Sequence, residues 1–252
     1  MTAEMSAEFA TVATWTADVA LSLGPQYRLP AACRGSGSPG ALRWFIDRLG
    51  LLPETTMLDC GAGVGGPAAF AADEVQVRPV LTEPEFEACL ASRRLFDLPV
   101  VQARFPLPFA PASFEAIWSL GVLCTVDDQG GFLRELRRVL TARGRLGLLV
   151  FVATRDQLSD QPAGNQFPTV DGLRRLLDDA GFRVGDSATL AEFAETSNAW
   201  QERVDAVEAE LVRRHGSDPA WRTAAEQSAL IGRLLADEEL VGSMIVTRPE
   251  SD

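Results

Sequence analysis

The chain has 252 residues, long enough for one α/β domain with an insertion and a sizeable buried core. With 23 basic residues against 35 acidic ones its net charge is −12, a field that repels phosphate backbones and argues against nucleic acid as a partner. No run reaches the roughly 18–20 apolar residues of a membrane span, and the opening "MTAEMSAEFATVATW" lacks the basic-then-apolar order of a signal peptide. Cys33, Cys60, Cys89 and Cys124 lie far apart with no C-x-x-C pair, and His215 is the single histidine, so the expectation is a cytoplasmic protein with buried thiols and no metal site.

Phe9, Val12, Trp15 and Val19 recur at helical spacing and predict an amphipathic N-terminal helix. "CRGSGSPG" (33–40) reads as a loop, followed by a helix built on Leu42, Phe45, Ile46 and Leu49. A strand is expected at 56–60, then a glycine-rich turn, a helix over 65–73 and a second strand at 75–82. The next helix carries Phe86, Leu90 and Leu95, "VVQA" is a third strand, and "FEAIWSL" (114–120) is a fourth. A helix with Phe132, Leu133, Leu136, Val139 and Leu140 on one face leads to "ARGRLGLLVFV", whose unbroken apolar run predicts a buried fifth strand. In "FPTVDGLRRLLDDAGF", Thr169 is the N-cap, Val170, Leu173, Leu176, Leu177 and Ala180 form the stripe, and Gly181 is the stop. "FRVGDSATL" is a strand, 195–237 holds two helical stripes (one on Trp200, Val204, Val207 and Leu211), and "VGSMIVTRP" is the last strand. This alternation predicts an α/β fold: a doubly wound, mostly parallel seven-stranded sheet with helices on both faces and a helical insertion before the last strand.

The glycine turn carries the first chemical signal. Gly61, Gly63 and Gly66 satisfy G-x-G-x-x-G, with Glu83 at the end of the next strand, and alone this leaves a dinucleotide open. Asp59 stands two residues before the first glycine, where a dinucleotide fold has an apolar residue under the turn. A carboxylate there suits a cationic ligand such as S-adenosylmethionine. No Gly-Lys-Ser/Thr follows, so a P-loop is excluded.

"LDCGAGVGG" resembles the first motif of class I S-adenosylmethionine-dependent methyltransferases. "FPLPFAPASFEAIWSLGVL", "LRELRRVLTARGRLGLLVF" and "FPTVDGLRRLLDDAGF" resemble later segments of the same family, in the same order, over roughly residues 40–185. The resemblance is to small-molecule enzymes of the sterol, quinone and natural-product type. It implies one domain over 1–252: an N-terminal lid segment at 1–40, a cofactor-binding core at 41–190, a helical insertion or lid at 191–238, and the last strand and tail at 239–252.

It also implies S-adenosylmethionine as cofactor. Gly61, Ala62 and Gly63 would let the backbone approach its methionyl and ribose portions, and Asp59 would support the turn and the amino group. Glu83 would take both ribose hydroxyls, an N-cap for the following helix being its alternative. Gln102 and Ala103 fall where relatives place an aspartate that accepts from the adenine amine, and Ser119, in the fourth strand, is counted with the cofactor site.

Thr125 stands where many relatives carry a histidine base, and threonine cannot take a proton near neutral pH. The candidate catalytic residues are Asp127 and Asp128 after the fourth strand and His215, against helix-capping and helix C-terminus alternatives. Glu192 and Glu195 are weaker candidates. Tyr27, Arg34, Asn165 (or Gln166) and Trp200 are candidate substrate contacts, with Trp200 and Trp221 equally readable as helix–helix core. The expected function is S-adenosylmethionine-dependent methylation of a small-molecule hydroxyl on a natural product, a lipid or quinone precursor, or a sugar. A carbon or nitrogen acceptor, an inactive cofactor-binding homologue and, last, a nicotinamide oxidoreductase are the alternatives, and a homodimer is left open.

Overall fold

The computed structural model describes residues 3–250, so the outermost ends of the expected N-terminal segment and tail lie outside the described residues. The strands are β1 (Thr56–Cys60), β2 (Arg78–Glu83), β3 (Val100–Gln102), β4 (Phe114–Leu120), β5 (Leu140–Ala153), β6 (Phe182–Thr189) and β7 (Leu240–Pro249). They form one sheet in the order β3-β2-β1-β4-β5-β7-β6. The first five pair in parallel, while β7 runs antiparallel between β5 and β6. The chain winds outward from β1 through β2 to β3, then returns to lay β4 on the other side of β1. The order therefore reverses between β1 and β4, and the crevice outside their carboxyl ends is where open α/β sheets bind ligands.

Nine helices accompany the sheet among the described residues: α1 (Ala3–Leu23), α2 (Arg28–Ala32), α3 (Pro39–Leu49), α4 (Gly66–Val75), α5 (Phe86–Phe96), α6 (Gln129–Val139), α7 (Val170–Asp179), α8 (Asn198–His215) and α9 (Pro219–Ala236). Alternation along each strand sorts the apolar side chains onto two faces. Leu58, Ile117, Leu146 and Leu148 meet Leu133, Leu136 and Leu177 of α6 and α7 on one face. Met57, Ala116, Trp118 and Leu149 meet Leu42, Phe45 and Phe70 of α3 and α4 on the other. A third cluster, with Ala17, Val19, Ala91, Leu95, Val207, Leu211 and Trp221, joins α1 to α5 and to the inserted α8 and α9. No described helix is long and apolar enough to cross a membrane.

Several boundaries and faces differ from the sequence-based expectation. Helix α4 runs on to Val75 and closes at Gln76 in a left-handed conformation, so β2 begins at Arg78 rather than at 75. Leu140 opens β5 instead of closing α6. On α5 the large residues point outward: Phe86 and Leu90 are 51% and 45% exposed, and Val170 of α7 is exposed too. The buried face of α5 is Ala88, Cys89, Ala91, Ser92 and Leu95. These small residues let α1 lie close along α5, a requirement of the neighbour that periodicity within α5 does not carry. The short α2 has no hydrophobic repeat to announce it.

Leu95→Ala should therefore cost about 2–5 kcal/mol of stability, and Leu90→Ala under about 1 kcal/mol. Urea unfolding of both variants checks the assignment, and the reverse order would mean that α5 presents its other face to the core.

Candidate active site

The glycine turn is fastened to the end of β2 before it holds anything else. The N–H groups of Gly61 and Ala62 both donate to the Thr82 carbonyl, at 2.9 and 3.0 Å. Gly61 has φ 78°, and a Cβ there would collide with the Val122 side chain. Beyond the turn, Gly66 opens α4 directly against the backbone of Ala32 and Cys33, again leaving no room for a side chain.

Asp59 ends up beneath this turn with 2% of its surface exposed, and its Oδ2 has no hydrogen-bond partner. Burial pushes its carboxyl up to about 7; the Trp118 indole and the Ala68 N–H pull it down, and the Glu83 charge adds to the rise. Trp118 Nε1 forms no well-shaped hydrogen bond itself, so its help is a field effect rather than a closed contact. Glu83, 4% exposed at the tip of β2, accepts from the Gly63 N–H at 2.8 Å and from the Glu85 N–H at 3.1 Å. Burial pushes Glu83 to about 7 as well, against the pull of those two N–H groups, with the Glu85 charge raising it and Arg104 lowering it. The N-cap of α5 is Glu85, not Glu83.

Ser119 is buried and donates to the Cys60 carbonyl at 2.8 Å, joining the tips of β1 and β4. The Ala103 N–H donates to the Glu83 carbonyl at 3.1 Å. The Gln102 amide nitrogen donates to the Pro84 carbonyl at 3.1 Å on the exposed edge. Asp59, Gly61, Ala62, Gly63, Glu83, Ala103 and Ser119 thus gather around the ends of β1, β2 and β4.

The other candidates are distributed differently. Asp128 is the N-cap of α6, its Oδ1 accepting from Gly131 N–H at 2.7 Å, and Asp127 precedes it in the same loop. Thr125 Oγ1 donates to the Val122 carbonyl at 2.8 Å. His215 ends α8 and stacks flat on Trp15 of α1, with ring centroids 4.0 Å apart and 6° between planes. Arg34 pairs with Glu208 of α8 at 2.5 Å and holds its guanidinium 6.0 Å from the Trp221 ring centroid. Trp200 meets Phe70 of α4 edge-on at 6.4 Å, and Trp221 is buried between helices. Tyr27 packs into the same helical cluster as Trp221. Asn165 makes a tight turn in the β5–α7 loop, its N–H on Pro162 O at 3.2 Å and its carbonyl taking the Gln161 amide. Glu192 belongs to a capping box with Thr189, and Glu195 is exposed.

Three contributors escaped the sequence reading. Phe9 of α1 reaches over the turn, its ring tip 3.6 Å from where a Cβ of Gly63 would stand. Met5 lies against Gly164, so α1 meets the β5–α7 loop. Glu239, buried just before β7, accepts from the Ser159 N–H at 2.7 Å and anchors that loop from the far side. Only the placement of Phe9 had a signal, an aromatic on an N-terminal amphipathic helix; the other two are long-range contacts.

Residues 58–148 match the family model described as a methyltransferase domain. In sequence the chain is 26% identical over 178 residues to the 2-methyl-6-phytyl-1,4-hydroquinone methyltransferase of Synechocystis sp., covering 61% of this chain and 54% of that protein. The chain spans about half the length of the relatives it matches in sequence, 54% and 44% for two of them. Among solved structures it superimposes on the [4+2]-cyclase SpnF with a TM-score of 0.65 at 20% identity, covering 84% and 81% of the two chains. The mycolic acid cyclopropane synthase CmaA1, solved with S-adenosylhomocysteine, gives a TM-score of 0.66 at 16% identity, covering 82% of each chain. These likenesses establish the class I methyltransferase fold.

Both carboxyls sit above their ordinary range, so the ligand-free fold holds protons that the unfolded chain releases near pH 4. Their contribution is most favourable below that pH and is lost as pH rises toward about 7. Asp59→Asn removes one of the two costs. Its melting temperature relative to the wild type should climb between pH 5 and pH 8; a difference independent of pH would mean that Asp59 is not held against its charge.

Proposed function

We propose, for a chain that has the class I methyltransferase fold and whose residues 58–148 match a methyltransferase domain, that it transfers a methyl group from S-adenosylmethionine to a small-molecule acceptor, with oxygen the receiving atom. The observation that carries this reading is Asp59, a buried carboxylate with an unpartnered oxygen under a turn where a Cβ cannot fit. A buried anion without a cation is costly. A ligand ammonium beside the turn supplies the missing partner, whereas a dinucleotide would bring its anionic pyrophosphate to such a turn.

The remaining residues fit the same ligand. Glu83 has two acceptor oxygens, suited to a pair of ribose hydroxyls. The bare backbone of Gly61 to Gly63 allows close approach. When bound, the cofactor supplies an electrophilic methyl group on a sulfonium. The chain then binds, aligns and keeps water out. Displacement at the methyl needs donor and acceptor in line, which is a task of orientation, and a sulfonium that loses its charge reacts best in a dry site. Phe9, Val122 and Met5 provide apolar surface on that side.

General-base catalysis has little support from the surroundings. Asp128 is engaged in its cap and His215 in its stack on Trp15. An acceptor whose own hydroxyl is acidic, such as a phenol, suits this site better than an alkyl alcohol, because its proton leaves without strong assistance. A second reading, transfer to the carbon of an electron-rich ring, draws on the same scarcity of bases and on the hydroquinone acceptor named for the Synechocystis relative.

Calorimetry with S-adenosylmethionine and S-adenosylhomocysteine tests the cofactor. Asp59→Ala and Glu83→Ala should each weaken binding tenfold or more, as expected for charged or bidentate partners that contribute ~1.5–3 kcal/mol. Wild-type affinity should rise with pH by about tenfold per unit as Asp59 ionises, then level off above about 7. Unchanged affinity in both variants, or binding of NADH in place of the adenosyl ligands, would reject the site. For the acceptor, labelled methyl donor and a panel of phenols and aliphatic alcohols should show transfer to phenols first; equal transfer to unactivated alcohols would require a base that these residues do not supply.

A further inference from the structure

The two carboxyls of the proposed cofactor site, Asp59 and Glu83, are buried, as is Ala62, while Gly61 and Gly63 of the turn remain partly exposed. The N-terminal part of the chain reaches the turn through Phe9 at Gly63. The backbone of Ala32 and Cys33 rests on Gly66 at the head of α4, and burial first, then the nearby Asp59 charge, pushes the Cys33 thiol up. With 2% of its surface exposed, Asp59 can touch a ligand directly only if neighbouring groups move. Residues 28–37 have the makings of a strap that does so. They contain the short α2, then Gly35 and Gly37 with φ of 77° and 100°, left-handed conformations in which glycine turns freely. Past them Ser38 caps α3, donates to the Phe193 carbonyl at 2.6 Å and is fixed to the core.

A single side chain between α2 and these glycines reaches across to the inserted helices. Arg34 pairs with Glu208 on α8 and lies over Trp221 on α9. The guanidinium is partly exposed, and the pair adds to the packing of Ala31 and Ala32 against Val207, Leu211 and Trp221 without touching the glycine turn. We infer that Arg34 is the latch of this strap, setting how fast the cofactor enters and leaves rather than how tightly it is held. The inference rests on the functional reading above for the identity of what is admitted.

Stopped-flow binding of S-adenosylhomocysteine to the full chain, read by tryptophan fluorescence, tests it. Arg34→Ala and Glu208→Ala should raise the association and dissociation rate constants together by about three- to tenfold, the scale of an exposed ion pair with a cation–π contact. The dissociation constant should stay within about threefold, and the charge-reversed pair Arg34→Glu with Glu208→Arg should recover the slow exchange. Independently of any ligand, alkylation of Cys33, followed by mass spectrometry of its peptide, should speed up in the two alanine variants, because Cys33 is reached only when the strap rises. A loss of affinity with association unchanged would make Arg34 a direct ligand contact and overturn the latch. So would normal binding with unchanged exchange and unchanged labelling. If the wild type does not bind S-adenosylhomocysteine at all, the functional reading falls and the exchange role falls with it.

Discussion

Two carboxylates buried without a cation set the terms for the rest of this protein. Asp59 and Glu83 lie a strand apart under the glycine turn, each pushed to about 7 chiefly by loss of water. A fold built for stability alone would place apolar side chains at both positions. Their presence gives the ligand-free chain a built-in deficit, which the proposed cationic, hydroxyl-bearing ligand would remove. The turn is correspondingly rigid: two N–H groups share the Thr82 carbonyl, and Val122, Ala32 and Cys33 crowd Gly61 and Gly66. Pre-organisation of this kind means that little further ordering is needed when the ligand arrives.

Much of this arrangement was legible in the residues. The strands at 56–60 and 114–120 fall where they were expected, because short apolar runs between turn signals have few other solutions. Asp59, Gly61, Gly63 and Glu83 converge because they are local: a strand, a turn and the next strand suffice to bring them together. What stayed hidden depends on partners distant in the chain. Leu90 has a helical spacing that fits a core stripe, yet α1 needs the small side of α5, and nothing within α5 states that. Arg34 reads as a loop arginine, and its engagement with Glu208 spans most of the sequence. Asp128 was named for chemistry because it follows the fourth strand, and His215 because it is the single histidine; the structure gives the first a cap and the second an aromatic stack.

The helices over the strand ends are joined by the apolar cluster of Ala17, Val19, Leu95, Val207, Leu211 and Trp221, with polar contacts at its margin. α1 and α8 meet through Trp15 on His215 and through Arg214 Nη2 donating to Ser22 Oγ at 2.8 Å, and α1 meets α5 through Arg94 and Asp18 at 2.7 Å. Exposed polar contacts of this strength contribute on the order of 1 kcal/mol or less each. The core beneath, with Trp118, Phe45, Leu133 and Leu136 fully buried, is held by far more apolar area. The helices above it form a roof whose buried contacts are mostly small side chains, Ala17, Ala20, Ala31 and Ala32 among them.

The direction of β7 gives the roof a further property. β6 runs parallel to β5, so it ends at Thr189 on the same rim as the site, and β7 starts there too, Leu240 pairing with Ala153 at the tip of β5. The chain leaves the sheet and re-enters it on one side, with α8 and α9 looped out between. Such a segment is a cassette. Its length and sequence can change without altering a single strand register, so the sheet and its glycine turn stay constant whatever the two inserted helices become.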